Sequence, residues 1–347
     1  MLPAKIIMDN RKTFLAYNEF RKDIFSRLAP RDSEVILYLL PWLLSINHPA
    51  FPGYVKNLAH PVQVKNINTE KKIIQSQPAF HRRFSFRGEA SLLKPFSSVR
   101  WIQGLYTIGS AGSIGQTSRS DCDIWICIRR DDFNDGLREQ LQEKARLIKD
   151  WLDTQIRMPV FFFLCNVEDI REGNFGQVEL ESSGSAQKNV LKEEFYRTLI
   201  LICGMIPLWW VCWSPEGDIS YEETASGFAR DGESDHDFLD LGNIETVAPR
   251  EYFGATLWQF NKSLTQPLKS IIKMILLRMV VTSPADELLC HSFRKHILAG
   301  GKQPFVDPAF FVTRLAFDYL RDKDEKLFAF VRKCFYLSYD MKLLTKN

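Results

Sequence analysis

The chain has 347 residues, 45% of them hydrophobic and 13% aromatic, enough for a sizeable core and for two domains or one large domain with an accessory layer. Charged residues make up 25% and the net charge is only +3, which argues against a disordered chain and neither demands nor excludes a polyanionic partner. Seven cysteines stand singly between Cys122 and Cys334 with no CxxC pair, which argues against a disulfide framework or a zinc site and fits a reducing cytoplasm.

No signal-peptide apolar region follows the N-terminus, and no stretch suits a membrane span. Val35–Ile46 is too short and contains Pro41, and Ile271–Val281 is interrupted by Lys273 and Arg278. Residues 9–47 read as helical, with Phe14, Phe20, Ile24 and Phe25 near helical spacing and a second helix starting at Asp32-Ser33. Residues 48–70 carry His-Pro and Pro-Gly steps and read as loop, and Asn68–Phe84 reads as one more short helix.

From residue 98 the pattern changes. Val99–Ile108, Cys122–Ile128 and Pro159–Cys165 read as strands, and Phe133–Ile156 as a charged helix with an apolar stripe of Leu137, Leu141 and Leu152. Residues 166–186 read as a loop, about Ala186 to Cys203 as a helix, and Leu208–Trp213 as a short strand closing the sheet. Residues 214–240 read as an acidic, Gly-rich surface loop, and the chain from Pro249 onward as helical. The expected fold is mixed α/β (α+β) in three regions: a helical region 1–95, a sheet-bearing core 96–213, and a helical region 214–347 that completes a cleft.

The chemistry concentrates at residues 106–125. A buried strand ends in Gly109-Ser110, where successive N–H groups and a serine hydroxyl can hold a phosphate. Asp121 and Asp123 follow two residues apart, so strand alternation puts both carboxylates on one face and sends Cys122, Ile124 and Ile126 to the other. Two carboxylates that close repel unless a cation lies between them, and Mg²⁺ prefers oxygen ligands shared with substrate phosphates. A Gly-Ser turn or an Asp-x-Asp pair alone would read as an ordinary turn or an acidic strand end. Here Gly109-Ser110, nine residues, and Ser120-Asp121-Cys122-Asp123 are joined in one unit between strands.

That spacing resembles the polymerase-beta-like nucleotidyltransferase superfamily. The segment Gly109-Ser110-Ala111-Gly112-Ser113-Ile114-Gly115-Gln116-Thr117, with Ser120-Asp121-Cys122-Asp123-Ile124-Trp125, more narrowly resembles the signature of class I, enterobacterial-type adenylate cyclases. Phe161–Leu164, Gly184-Ser185-Ala186-Gln187 with Glu194-Phe195-Tyr196-Arg197-Thr198, Asp240-Leu241-Gly242, Glu251–Gln259 with Lys262-Ser263, and Val331–Leu337 resemble further blocks of that family in order. The resemblance implies a nucleotidyltransferase-type mixed sheet and conversion of ATP to 3′,5′-cyclic AMP and pyrophosphate with Mg²⁺ or Mn²⁺.

On that reading Asp121 and Asp123 are the catalytic metal ligands. Gly109, Ser110, Ser113 and Ser120 hold phosphates, and Trp125 shares the aspartate face. Ser185, Lys188, Arg197, Lys262 and Lys269 are nucleotide-binding candidates, with Lys273 a further cation. Lys262, Lys269 and Lys273 line one helical face unless Pro267 breaks it. Asn166 stands where the family's Phe-rich strand carries an Asp, a third metal-site position at which Asn can accept a metal contact but is a poor base, with Glu168 and Asp169 as alternatives past the strand end. No nucleic-acid partner and a cytoplasmic location are expected. Two other readings stay open: a nucleotidyltransferase with a separate acceptor, and a nucleotide-binding module without turnover.

Overall fold

The computed structural model describes residues 2–88, 92–93, 99–117, 120–174, 188–216, 220–231, 237–282, 287–299 and 305–338. Helix α1 (Ala4–Leu28) is followed by α2 (Pro30–Glu34), which widens into a π-helical turn at Val35–Leu39 before α3 (Leu40–Ser45). The widening falls just before Pro41, whose ring crowds the preceding turn and which offers no N–H to the ladder. The segment read as loop contains a short strand, β1 (Val62–Val64), ahead of α4 (Lys71–Arg83).

The sheet is built on β2 (Arg100–Ile108), β3 (Cys122–Ile128) and β4 (Val160–Asn166). β2 and β3 are antiparallel with Ile108 opposite Asp123, while β3 and β4 are parallel with Asp123 beside Phe161 and Ile128 beside Asn166. The other edge of β2 takes β1 in parallel and, further along, β5 (Ile200–Gly204) in antiparallel. The expected helix over 186–203 is therefore two elements, α7 (Lys188–Thr198) and β5. β5 is buried throughout, so it lacks the polar alternation that would have marked it as a strand.

Crossover helix α5 (Asp135–Gln155) joins β3 to β4, and a short α6 (Val167–Arg171) follows β4. Asn134 caps α5 by accepting the Leu137 N–H at 2.9 Å. After β5 come β6 (Ile206–Pro207), the helical turn α8 (Leu208–Val211), α9 (Tyr221–Asp231) and β7 (Phe238–Leu239). Two further expectations change here. The 208–213 strand is a buried helical turn, and the 214–240 loop contains α9 and a strand that pairs with β6. The C-terminal layer is α10 (Pro249–Lys262), α11 (Pro267–Thr282), α12 (Leu289–Ala299), α13 (Pro308–Arg321) and α14 (Glu325–Ser338).

Side-chain alternation divides the core. Cys122, Ile124, Ile126 and Ile128 face the layer containing α3 and the Leu137, Leu141, Ile148 and Leu152 stripe of α5. Tyr106, Ile108, Trp125 and Cys127 face α1, α7, α8 and α12. Ile272, Ile275, Ala316, Leu320, Val331 and Phe335 form a third cluster among the last helices. All seven cysteines are buried and unpaired. Among the described residues no helix is long and apolar enough to cross a membrane.

Lys144 interrupts the apolar stripe of α5. It is 1% exposed, and its ammonium donates to the carbonyls of Ile46 and, at 3.0 Å, Gly53. Burial pushes this ammonium from 10.5 down to about 7. The unfolded chain therefore holds more protons than the folded chain between those values, so stability rises with pH across that window, by up to about 1.4 kcal/mol per pH unit from this group. Urea midpoints of the parent and Lys144→Met, measured at pH 7, 8 and 9, should show this rise in the parent and a weaker one in the variant. Parallel profiles would contradict the assignment.

Candidate active site

The strand β2 ends against a loop whose backbone is almost fully used by the protein itself. Gly109 has φ +87°, and a Cβ there would meet nothing within 4 Å, because its outer side opens into a cleft. Gly112 has φ +61° and the opposite setting: a Cβ would lie 2.6 Å from Ile200 Cδ1 and 2.7 Å from the carbonyl of Arg21. The loop is thus pressed onto α1 and β5 on one side and open on the other.

Most of the loop's amides are bonded within the protein. The N–H of Gly109 donates to Thr198 Oγ1 at 3.0 Å, that of Gly112 to Gln116 Oε1 at 2.8 Å, and that of Ile114 to Asp307 Oδ2 at 2.8 Å. Ser113 and Gln116 donate to the carbonyls of Ser110 and Ser113, and Gly115 to Ser113 Oγ. The amides of Ser110 and Ala111 are left without an acceptor among the described residues. Consecutive free N–H groups beside a hydroxyl form an anion-binding nest. The Ser110 hydroxyl donates to Ser120 Oγ at 2.9 Å, placing two hydroxyl oxygens together at its rim.

The carboxylates lie next to this nest, since Asp123 is in register with the last residue of β2. Asp121 is exposed just ahead of β3, and Asp123 is half-buried. Burial, then the charge of Asp121, raises the Asp123 carboxyl from 3.8 to about 7. Among the described residues no three His, Cys, Asp or Glu side chains form a complete metal cage. A hard divalent cation commonly takes one or two carboxylates and completes its shell with water and phosphate oxygens, and this oxygen-only pair fits such an ion.

The facing wall is cationic. Lys262 from the end of α10, and Lys269 and Lys273 from α11, line the same cleft of about 570 Å³ as the loop and both aspartates. Pro267 does break the helix between them, yet it starts α11 in its first turn, and the three lysines still converge. Burial and then Lys273 bring the Lys269 ammonium down to about 8. Glu194 on α7 is held at about 2, first by Lys273, whose Nζ lies 3.3 Å from its carboxylate. Arg197 lies one turn along α7 and is paired with Glu193 at 3.0 Å. Beyond the charged groups the cleft continues over Val190, Leu191, Val247, Tyr252, Leu276 and Leu288.

The structure brings Gly109, Ser110, Ser113, Ser120, Asp121, Asp123, Arg197, Lys262 and Lys269 into this one cleft. Ser113 serves within the loop: its hydroxyl donates to the Ser110 carbonyl at 2.8 Å and accepts from Gly115. Trp125 is fully buried and stacked on Phe195 with ring centroids 4.6 Å apart, so it builds the cleft wall from beneath. Lys188, at the start of α7, donates to Asn174 at 3.3 Å and is not part of the cleft lining. Ser185 lies outside the described residues.

Asn166 is a correction. β3 and β4 run parallel, so Asn166 beside Ile128 is five residues, about 16 Å, along the sheet from the position beside Asp123. There it accepts from Arg138 at 2.7 Å and donates to Asp169 at 2.7 Å. Glu193, Glu194, Glu245 and Glu287 also line the cleft, and of these Glu194, which sequence reasoning gave no role, acts on Asp123 through its charge and pairs with Lys273.

Residues 7–210 match the family model described as the adenylate cyclase NT domain, and residues 247–347 the model described as the second domain of class-I adenylate cyclase. Among curated proteins, the adenylate cyclase of Haemophilus influenzae is 33% identical over 320 residues, covering 87% of this chain and 36% of the relative. That of Pasteurella multocida is 34% identical over 310 residues with the same coverages, and that of Escherichia coli K12 is 31% identical over 338 residues, covering 94% of this chain and 38% of the relative. The chain thus spans little more than a third of the length of these relatives. No solved structure matches it.

The charge of Asp121 is one cause of the raised Asp123 carboxyl, so Asp121→Asn should lower it below 7 while burial keeps it above the ordinary 3.8. Carbonyl-carbon NMR of labelled aspartates across pH 3 to 9 reads this directly. An unchanged Asp123 titration would mean that the two carboxylates do not sense each other.

Proposed function

This chain belongs to the class-I adenylate cyclase family, and we propose that its cleft converts ATP to 3′,5′-cyclic AMP and pyrophosphate. One observation carries the reading above all: Ser110, whose amide and that of Ala111 beside it have no acceptor among the described residues, lines the same cleft as the Asp121/Asp123 pair and three lysines. The nest and the lysines suit a triphosphate, and the carboxylate pair suits a divalent cation, Mg²⁺ or Mn²⁺.

The nucleophile and the electrophile belong to one molecule, so the protein's task is to fold the nucleotide until its 3′-oxygen lies in line with the α-phosphorus. The Ser110 and Ala111 amides and the Ser110 and Ser120 hydroxyls hold phosphate oxygens at one end. Lys262, Lys269 and Lys273 neutralise the charge that collects on the departing pyrophosphate. Glu194, paired with Lys273, holds that ammonium in the cleft. The ribose and base extend across Val190, Leu191, Val247 and Tyr252, an apolar wall suited to a purine. A cation bound by Asp121 and Asp123 would polarise the α-phosphate and increase the acidity of the 3′-hydroxyl. Arg197 braces α7 through Glu193, and Trp125 supports the wall.

The purified chain, given ATP with Mg²⁺ or Mn²⁺, should release cyclic AMP and pyrophosphate in equal amounts. Asp121→Ala and Asp123→Ala should each lower kcat by roughly a thousandfold or more, whereas Asn166→Ala should stay within about twofold because it leaves the cleft intact. Nucleotide transfer to a separate acceptor without cyclic AMP, or a hundredfold loss in Asn166→Ala, would contradict this assignment.

A further inference from the structure

We infer that Arg21, on the N-terminal helix, is a positioning residue for the phosphate loop; the inference rests on the nest being the triphosphate site. Arg21 is fully buried. Its Nε donates to the Gly112 carbonyl at 2.7 Å, and its Nη2 to the carbonyls of Ala111 at 2.9 Å and Thr198 at 3.1 Å. Nη1 donates to the Tyr17 hydroxyl at 2.9 Å. Among the described residues no carboxylate is ion-paired with it, and the buried Asp307 carboxyl meets its charge only at longer range.

A buried guanidinium without a paired carboxylate is costly, and a site that needed only a filled core would be served by an apolar side chain. What the guanidinium adds is a rigid planar fork of donors. That fork fixes the two peptide planes following the free amides. Its third carbonyl belongs to Thr198, whose hydroxyl accepts the Gly109 N–H just before them. The Ser110 and Ala111 amides are therefore bracketed on both sides by groups that Arg21 ties together. The fit of Gly112 is a separate sign of the same contact, since any larger residue there would meet the Arg21 backbone.

Lysine keeps the charge of Arg21 but cannot form the fork, so Arg21→Lys separates positioning from charge. The test compares the parent, Arg21→Lys, Tyr17→Phe and Lys144→Met, the last being a buried-cation change on the other side of the sheet. Circular dichroism checks folding, kcat and KM are measured for cyclic AMP formation, and inorganic tripolyphosphate binding is measured by calorimetry. Arg21→Lys should lose about a hundredfold in kcat, the cost of a small misplacement of reacting groups, and at least about tenfold in tripolyphosphate affinity. Tyr17→Phe, which frees one arm of the fork, should lose about threefold in both, and Lys144→Met should keep the parent's kcat and affinity.

Parent-like kcat and affinity in Arg21→Lys would overturn the inference, as would equal losses in Lys144→Met. If Arg21→Lys does not fold, parent-like values in Tyr17→Phe overturn it. A parent that binds tripolyphosphate but makes no cyclic AMP sinks the cyclase reading alone, and the affinities still decide the role of Arg21. A parent that binds no tripolyphosphate sinks both.

Discussion

The backbone of residues 109–116 leads from β2 to the carboxylate pair, and its conformation is imposed from three distant parts of the chain. Arg21 of α1 takes the carbonyls of Ala111 and Gly112, Thr198 at the end of α7 takes the Gly109 amide, and Asp307 at the start of α13 takes the amide of Ile114. Asp307 also caps α13 through the amides of Ala309 and Phe310. A strand-turn-strand unit could not hold this loop alone, because a turn rich in glycine and serine has many accessible conformations. The surrounding helices remove that freedom and leave the amides of Ser110 and Ala111 without an acceptor among the described residues, with Ser110 lining the cleft.

The charges in the cleft hold one another away from their ordinary ionisation states. Asp123 sits near 7 because burial and Asp121 disfavour its ionised form. Lys269 sits near 8 because burial and Lys273 disfavour its protonated form. Carboxylates and lysines share the cleft: Lys262 and Lys273 act on Asp123, Asp121 acts on Lys269, and Lys273 is bonded to Glu194. On the proposed reading, a cation-bound polyphosphate would relieve both strains together. On that reading, charge repulsion in the free protein would favour a ligand carrying both signs.

The central strands, the loop between them and the facing of Asp123 opposite Ile124 and Ile126 were legible in the sequence, because β3 alternates cleanly and glycine with serine interrupts an apolar run. β5 was not, since Ile200–Gly204 is buried on both faces and continues the apolar pattern of α7. The misplacement of Asn166 has a different origin. Position along one strand says nothing about the direction of its neighbour, and the parallel pairing of β3 with β4 puts Asn166 at the end remote from Asp123. Glu194 and Arg21 were invisible as functional groups for a third reason: one charged residue on a helix reads as solvated until the packing around it is known.

The account stands most directly on the free amides of Ser110 and Ala111, and nitrogen-15 NMR can observe them. The ligand is 3′-deoxy-ATP with Mg²⁺, which lacks the nucleophile and so cannot be cyclised. The account predicts that the Ser110 and Ala111 amide resonances move most on saturation, while those of Gly112 and Ile114, already bonded to Gln116 and Asp307, move little. Saturable binding that leaves both amides unmoved, with the shifts clustered elsewhere in the molecule, would contradict it.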